Sequence, residues 1–248
     1  MKIIVIAAGS GKRLGNETKD LPKYLINVNG KTIMQHQLEA FNKIQYEKFI
    51  VVVGPYKEKF TFKDAMYVED VNYHQHDILG SLMEARNFIS GDVLIVYSDI
   101  IFDYSILSKV VNTEVDIGIA VDMEWEKVYG ERTQHPRSEA ENVSLDNDNN
   151  IIEIRKNIVS TKNKVGEFLG IMKLSTKGSE IFVKKFQMLE NSHNGPFHNA
   201  PSLKKAYLTD MIQELIDSKI NVKPIIISGK WCEIDTKQDL QRACKIFS

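Results

Sequence analysis

Two sets of residues in this chain have the types and spacing to do chemistry on phosphate. The first is Ala7-Ala8-Gly9-Ser10-Gly11, followed at once by Lys12 and Arg13 and then by Lys23. Small residues let a ligand approach the backbone, and successive free amide N–H groups make a concavity suited to anions, phosphate above all. The second set is a pair of distant carboxylates. Asp99 follows the apolar run Val93 to Val96 through Tyr97-Ser98, and Asp235 lies in Trp231-Cys232-Glu233-Ile234-Asp235-Thr236. A carboxylate at the carboxyl end of a parallel strand sits where open α/β sheets bind ligands. Magnesium, a hard cation, usually takes one or two carboxylates together with phosphate oxygens. Asp99 alone would read as a turn or cap residue, and Asp235 could merely cap the last helix; as a pair they read as a metal site.

Two familiar phosphate loops fail on spacing. A Walker loop, G-x-x-x-x-G-K-S/T, would need a glycine where Ile6 stands and Ser or Thr where Arg13 stands. A dinucleotide fingerprint, G-x-G-x-x-G, meets Leu14 at its third glycine, with Gly15 one place late.

The array A-A-G-x-G-x-R-L, then T-K-x-x-P-K, then W-x-E-I-D-T far downstream, resembles the nucleotidyltransferases that join a nucleoside triphosphate to a phosphorylated small molecule. Ala7, Ala8, Gly9, Gly11, Arg13, Leu14, Pro22 and Lys23 all fall in the expected order. The resemblance implies that Gly9 to Arg13, with Ser10 and Lys12, wrap the triphosphate, that Lys23 holds the α-phosphate, and that Asp99 and Asp235 hold Mg2+. It also implies that the turn within Asn72 to Leu82 reads the base and ribose, through Asp77, Gly80 and Ser81. Asp77 also suits a helix N-cap, and His74 and His76 read as loop residues rather than metal ligands. In-line attack on phosphorus needs fixed cations more than a covalent nucleophile, which agrees with this set.

The polar stretch Trp125 to Glu141 concentrates Trp125, Tyr129, Arg132, His135, Arg137, Glu139 and Glu141. Such an insertion can be a solvated flap, but aromatics with carboxylates suit a cationic head group, and Arg132 suits a phosphate or phosphonate. The run Y-x-x-R-x-x-H-P with E-A-E resembles cytidylyltransferases acting on small amino-phosphonates, relatives of the phosphocholine cytidylyltransferases. That resemblance implies CTP as donor, Lys156 against the acceptor phosphate and Glu167 against its ammonium; Tyr207 and Asp210 either line the same pocket or lie on a helix surface. 2-Aminoethylphosphonate, phosphocholine and a phosphorylated amino acid such as phosphoglutamine all present an anion and an ammonium at similar reach. A sugar-1-phosphate nucleotidyltransferase using UTP or dTTP, or a non-catalytic nucleotide-binding module, are the alternatives.

These residues need a scaffold, and the pattern supplies one. Lys2 to Ile6, Phe49 to Val53, Val93 to Val96 and Val115 to Val121 are buried-type strands alternating with helices at Thr32 to Ile44, Ile78 to Ile89 and Tyr104 to Val111. Alternation of this kind gives right-handed crossovers and a mostly parallel, helix-flanked, Rossmann-like α/β sheet, and the resemblance implies the nucleotide-diphospho-sugar transferase type. Beyond the insertion at about 122–150, Ile151 to Ile154 and Phe168 to Leu174 are expected as strands paired with each other. Helices follow at Thr176 to Leu189, Leu203 to Ile216 and Lys237 to Phe247, with a strand at Val222 to Ile227. The whole of 1–248 reads as one domain.

Composition sets the class. The chain has 248 residues, 43% hydrophobic and 26% charged, with net charge −1, so no global field recruits nucleic acid or an acidic membrane. Its two cysteines, Cys232 and Cys244, have no metal-ligand spacing. No leader pattern and no apolar run long enough to span a bilayer is present, so the expectation is a cytoplasmic enzyme. No surface stripe marks an interface, which leaves a homodimer open.

Overall fold

The computed structural model describes residues 1–9, 11–130 and 132–248, with the side chains of Lys12 and Asn16 outside that description. The roles expected of Ser10 and of the Lys12 cation therefore lie outside the described residues.

Strand β1 (Lys2–Ala7) is apolar along its length because both of its faces are covered. After it come the short hairpin β2 (Asn27–Val28) and β3 (Lys31–Thr32), then helix α1 (Ile33–Phe41), started by a Thr32–Gln35 capping box. Strand β4 (Lys48–Val53) pairs parallel with β1, and β5 (Ala65–Glu69) pairs parallel with β4 at one edge of the sheet. Helix α2 (Ile78–Glu84) leads to β6 (Val93–Tyr97), parallel to β1 on its other side. Then follow β7 (Ile100–Phe102), α3 (Tyr104–Asn112), β8 (Ile117–Asp122) and a short helix, α4 (Trp125–Tyr129). Strands β9 (Glu141–Leu145), β10 (Ile151–Lys156) and β11 (Lys164–Leu174) are antiparallel; α5 (Thr176–Ser192), α6 (Leu208–Asp217), β12 (Lys223–Ile227), β13 (Trp231–Glu233) and α7 (Lys237–Ile246) complete the chain.

Among the described residues nine strands form one mixed sheet, parallel at its centre, with β11 joining β9, β6 and β8. Ile4, Ile6, Ile50 and Val52 face α2, α5 and α6, while Ile3, Val5, Val51 and Val96 face α1, α3 and α7. Strand β1 thus lies between β4 and β6 with a helix layer on each face. The crevice at its carboxyl end is where chain direction leaves a ligand room.

Three local expectations change. Strands β10 and β11 do not pair with each other, because β9 lies between them. Asp146 accepts from the amides of Asp148 and Asn150, a tight turn that folds β10 back onto β9. The helix expected from Leu203 divides into a 3-10 turn, Leu203–Lys205, and α6, because the Asp210 carboxylate accepts from the Tyr207 and Asn199 amides and caps α6 there. Strand β5, unanticipated, is a half-exposed edge strand whose alternation is too short to stand out.

Candidate active site

At the end of β1 the chain turns away from the sheet. Gly11 has φ +61°, and a Cβ there would come within 2.9 Å of Thr18 Cγ2, so the turn needs glycine. Thr18 Oγ1 donates to the Gly11 carbonyl at 2.7 Å and closes the loop, while the space beside Gly9 is open. Pro22 then sets up the turn that carries Lys23 and Tyr24 back to the sheet. The Tyr24 hydroxyl donates to Gln37 Oε1 at 2.8 Å. Gln37, buried on α1, donates to the carbonyls of Tyr97 and Ile100 at 2.9 and 2.8 Å. One amide therefore ties the Lys23 turn to the turn that holds Asp99.

The second carboxylate is placed by the antiparallel pair β7–β13, followed by the Ile234 amide donating to the Asp99 carbonyl at 2.8 Å. Its loop is held by Asp239, the N3 residue of α7. Asp239 Oδ2 accepts from the Thr236 amide at 2.9 Å and from the Asp235 amide at 3.2 Å.

Lys23 Nζ lies 2.9 Å from Asp99 Oδ2 and is also ion-paired to Asp235 Oδ1. Arg13 lies 2.8 Å from the other Asp235 oxygen. Burial works to raise the Asp235 pKa, but Lys23 and Arg13 outweigh it and hold the group at about 2. Burial likewise opposes the Lys23 charge, and Asp99 and Asp235 outweigh it, so its pKa is raised. Both aspartates already converge on a cation, and Asp99 Oδ1 is buried without a partner among the described residues. His135, Glu233 and Asp235 also bring ligand atoms within 4.8 Å of one another. This hard, oxygen-rich donor set suits a divalent cation.

Two cavities meet here. The larger, about 340 Å3, runs from Ala8, Gly9 and Gly11 past Lys23 to His76, Asp77 and Ser81. The smaller, about 90 Å3, is lined by Glu139, Glu141, Glu167, Glu233, His135 and Lys156. Arg13, Ile78, Tyr97, Asp99, Tyr207 and Asp235 line both. Burial pushes Glu141 up to about 7 and Glu167 up to about 8, and raises Glu233 well above the usual carboxylate range, with Asp235 and Asp99 adding to the shift. Burial, with Arg132 beside it, lowers His135 to about 4.

Several side chains expected at the acceptor site take other places. Trp125 Nε1 donates to the Val165 carbonyl at 3.0 Å, and its ring stands edge-on to Tyr129, so it docks α4 on β11 and lines neither cavity. The Tyr129 hydroxyl donates to Glu167 at 2.6 Å from outside the cavity wall. Arg132 has a fully buried side chain, bonded to Asp239 at 2.8 Å and to Glu233 at 3.1 Å and lying over the Tyr129 ring. It fixes the carboxylates around the site and is not presented to a substrate anion. His135, Glu139, Lys156 and Glu167 do line the smaller cavity; Lys156 bonds Glu139 at 2.9 Å and lies over the Tyr207 ring. Arg137 is exposed, and Asp210 is taken up by its cap. On the nucleotide side, Ser81 Oγ donates to buried Asp70 at 2.7 Å, and Asp77 starts α2 with no side-chain cap bond among the described residues. Gln37 and Asp70 were not foreseen; Glu233, quoted in its motif, and Asp239, in the helix that follows it, carried no role in the sequence reading.

The chain is 27% identical to the CTP:phosphoglutamine cytidylyltransferase of Campylobacter jejuni subsp. jejuni serotype O:2 over 254 residues, covering 97% of this chain and 98% of that protein. It is 30% identical to the bifunctional protein GlmU of Methanococcus vannielii across 100% of this chain, and spans 55% of that relative's length. Its fold is similar to those of the CTP:phosphocholine cytidylyltransferase from Streptococcus pneumoniae and the inositol-1-phosphate CTP transferase from T. maritima. Each superposes with a TM-score of 0.73, at 19% and 22% identity, covering 100% and 99% of this chain and 99% and 95% of theirs. Residues 3–133 match the MobA-like NTP transferase domain, more than half of the chain. With its glycine loop, its cation and its carboxylate pair gathered at the carboxyl ends of the central strands, the chain belongs to that nucleotidyltransferase family.

Proposed function

We propose that this protein is a Mg2+-dependent cytidylyltransferase that transfers CMP from CTP to a small phosphonate or phosphomonoester bearing an amino group, releasing pyrophosphate. One observation carries this reading: two cavities, one along the glycine loop and one walled by carboxyls, share the Arg13, Asp99 and Asp235 wall. The relative whose name gives CTP and phosphoglutamine, similar along nearly its whole length, supports CTP and an acceptor with an anion and an ammonium. 2-Aminoethylphosphonate and phosphocholine have the same two features. Residues 1–248 act as one domain, with about 122–150 completing the acceptor side.

In this reading an acceptor oxygen, already ionised, attacks the α-phosphorus of CTP in line; the bond from that phosphorus to the bridging oxygen breaks, and pyrophosphate leaves. No general base is needed, so positioning and electrostatics supply the catalysis. The backbone from Gly9 to Gly11 and the Arg13 guanidinium hold the departing phosphates, and Lys23 offsets the charge that develops on the α-phosphoryl oxygens. Asp99 and Asp235 would hold Mg2+, which when bound neutralises phosphate charge. Lys156 takes the acceptor's anion, and Glu167 and Glu141, ionised by the encounter, take its ammonium.

The similarity to GlmU favours a second reading, a sugar-1-phosphate nucleotidyltransferase using UTP or dTTP. The test crosses four nucleoside triphosphates with 2-aminoethylphosphonate, phosphocholine, phosphoglutamine and glucose-1-phosphate, following pyrophosphate release with MgCl2. Release with CTP and an amino-bearing acceptor is expected. Release confined to UTP or dTTP with the sugar phosphate would replace the proposal by the second reading.

A further inference from the structure

At the far end of the larger cavity a buried carboxylate controls a histidine. Asp70 is wholly buried, and its backbone amide is anchored to the Val53 carbonyl at 2.8 Å. Its carboxylate receives the Asn72 amide at 2.9 Å, Ser81 Oγ at 2.7 Å and His76 Nδ1 at 3.0 Å. Gly80 packs against the base of the ring, where a Cβ would lie 2.8 Å from His76 Cγ, so the helix approaches the imidazole as only glycine allows. Lys205 pins the loop backbone from beyond, donating to the His74 carbonyl at 2.9 Å. The ring is thus clamped while lining the cavity. Its Nε2 makes no hydrogen bond among the described residues, although every polar atom of Asp70 is engaged.

We infer that His76, its hydrogen fixed on Nδ1 by Asp70, presents Nε2 as a hydrogen-bond acceptor that reads the 4-amino group of cytosine and rejects uracil. A carboxylate oxygen at 3.0 Å accepts from Nδ1, so Nδ1 carries the hydrogen, and the tautomer selected in this way has its lone pair on Nε2. Cytosine offers an N–H2 donor at the matching position, where uracil offers a carbonyl oxygen. With uracil two acceptors would face each other, and a site built around one hydrogen bond discriminates strongly against a group that cannot make it. His76 would be a specificity-determining residue, and Asp70 a positioning residue that acts through it. The inference rests on CTP being the donor, and it deepens that reading.

The test is binding, which is independent of the acceptor and of turnover: dissociation constants for CTP and UTP with MgCl2, by calorimetry, in the wild type, His76→Phe and Asp70→Asn. His76→Phe keeps a ring of similar size and should reduce the preference for CTP over UTP by about tenfold or more. In Asp70→Asn the new amide can donate to Nδ1, moving the ring hydrogen to Nε2, so the preference should fall or turn toward UTP. A merely structural role would weaken both nucleotides alike and leave the ratio unmoved. A preference for CTP that persists within about threefold in His76→Phe overturns the inference while leaving the proposed activity intact. A wild type with no preference for CTP overturns both. If Asp70→Asn does not fold, His76→Phe alone decides.

Discussion

The Lys23 ammonium between Asp99 and Asp235 has a structural duty and, in the proposed reaction, a catalytic one, and they can be separated. Lys23→Met leaves Asp235 paired to Arg13 and takes from Asp99 its ion-pair partner among the described residues. The expected cost is about 3 kcal/mol of stability and about 10²- to 10³-fold in turnover. Because the vacated position lies between two carboxylates, MgCl2 should raise the melting temperature of the variant more than that of the wild type; thermal melts with and without the salt check this. Glu141 and Glu167 give a pH dependence. Their pKa values rise from the ordinary 4.5 to about 7 and about 8 in the folded protein. Between those limits the folded state binds more protons than the unfolded chain, so their contribution to stability is full at low pH and is lost as pH rises through about 7 to 8. Glu167→Gln should flatten the fall in melting temperature between about pH 5 and about pH 8. Binding of an amino-bearing acceptor should strengthen over the same interval in the wild type, since the ammonium favours the ionised carboxyls. The convergence of Lys23, Asp99 and Asp235 was legible because Lys23 and Asp235 each stand in a short local motif, and Asp99, at the end of a buried strand, took its reading from Asp235. Arg132 misled because its charge suggests a surface, whereas Asp239 and Glu233, its partners, are far along the chain.

At the scale of elements, the site depends on braces that a linear reading does not reveal. Gln37 sits mid-helix on α1 with apolar neighbours and reads as an ordinary polar residue; its partners lie on the Lys23 turn and on either side of Asp99. Gln37→Leu strands one hydroxyl and two carbonyls, with an expected cost of about 2–4 kcal/mol. It should lower kcat more than it raises the KM for CTP, because it loosens Lys23 against Asp99 without touching the base end; steady-state kinetics and chemical denaturation check both parts. Arg132→Met removes the charge from between Asp239 and Glu233 and is expected to destabilise by about 3–5 kcal/mol. Arg132→Lys should recover little of this, lacking the planar fork that meets both carboxylates at once. Denaturation midpoints of the two variants, compared with the wild type, check the pair. The crossover helices and central strands were readable because burial on both faces forces continuous apolar runs. β9 was not, because Glu141-Asn142-Val143-Ser144-Leu145 mixes polar with apolar residues, and its polar side chains are turned inward: Asn142 and Ser144 are buried and Glu141 lines the smaller cavity. β7 and β13 were hidden by being only three residues each.

Across the whole molecule, the sheet brings together groups that entered the chain far apart. The phosphate loop comes from β1, one acid from the turn between β6 and β7, another from the segment after β13, and the carboxyl wall from β9 and β11. The sheet lies between two apolar helix-packed layers, and the cavities lie at the carboxyl ends of its central strands. Since those cavities share Arg13, Ile78, Tyr97, Asp99, Tyr207 and Asp235, they are two rooms with a common doorway. In the proposed reaction the CMP conjugate formed at that doorway would span both rooms, so it should compete with CTP and with the acceptor alike, whereas pyrophosphate, confined to the glycine-loop side, should compete with CTP alone. Product-inhibition patterns distinguish the two. In that reading the joined product reaches into both cavities while each substrate occupies one, so its accumulation should slow the reaction from both sides at once, an effect pyrophosphate cannot produce.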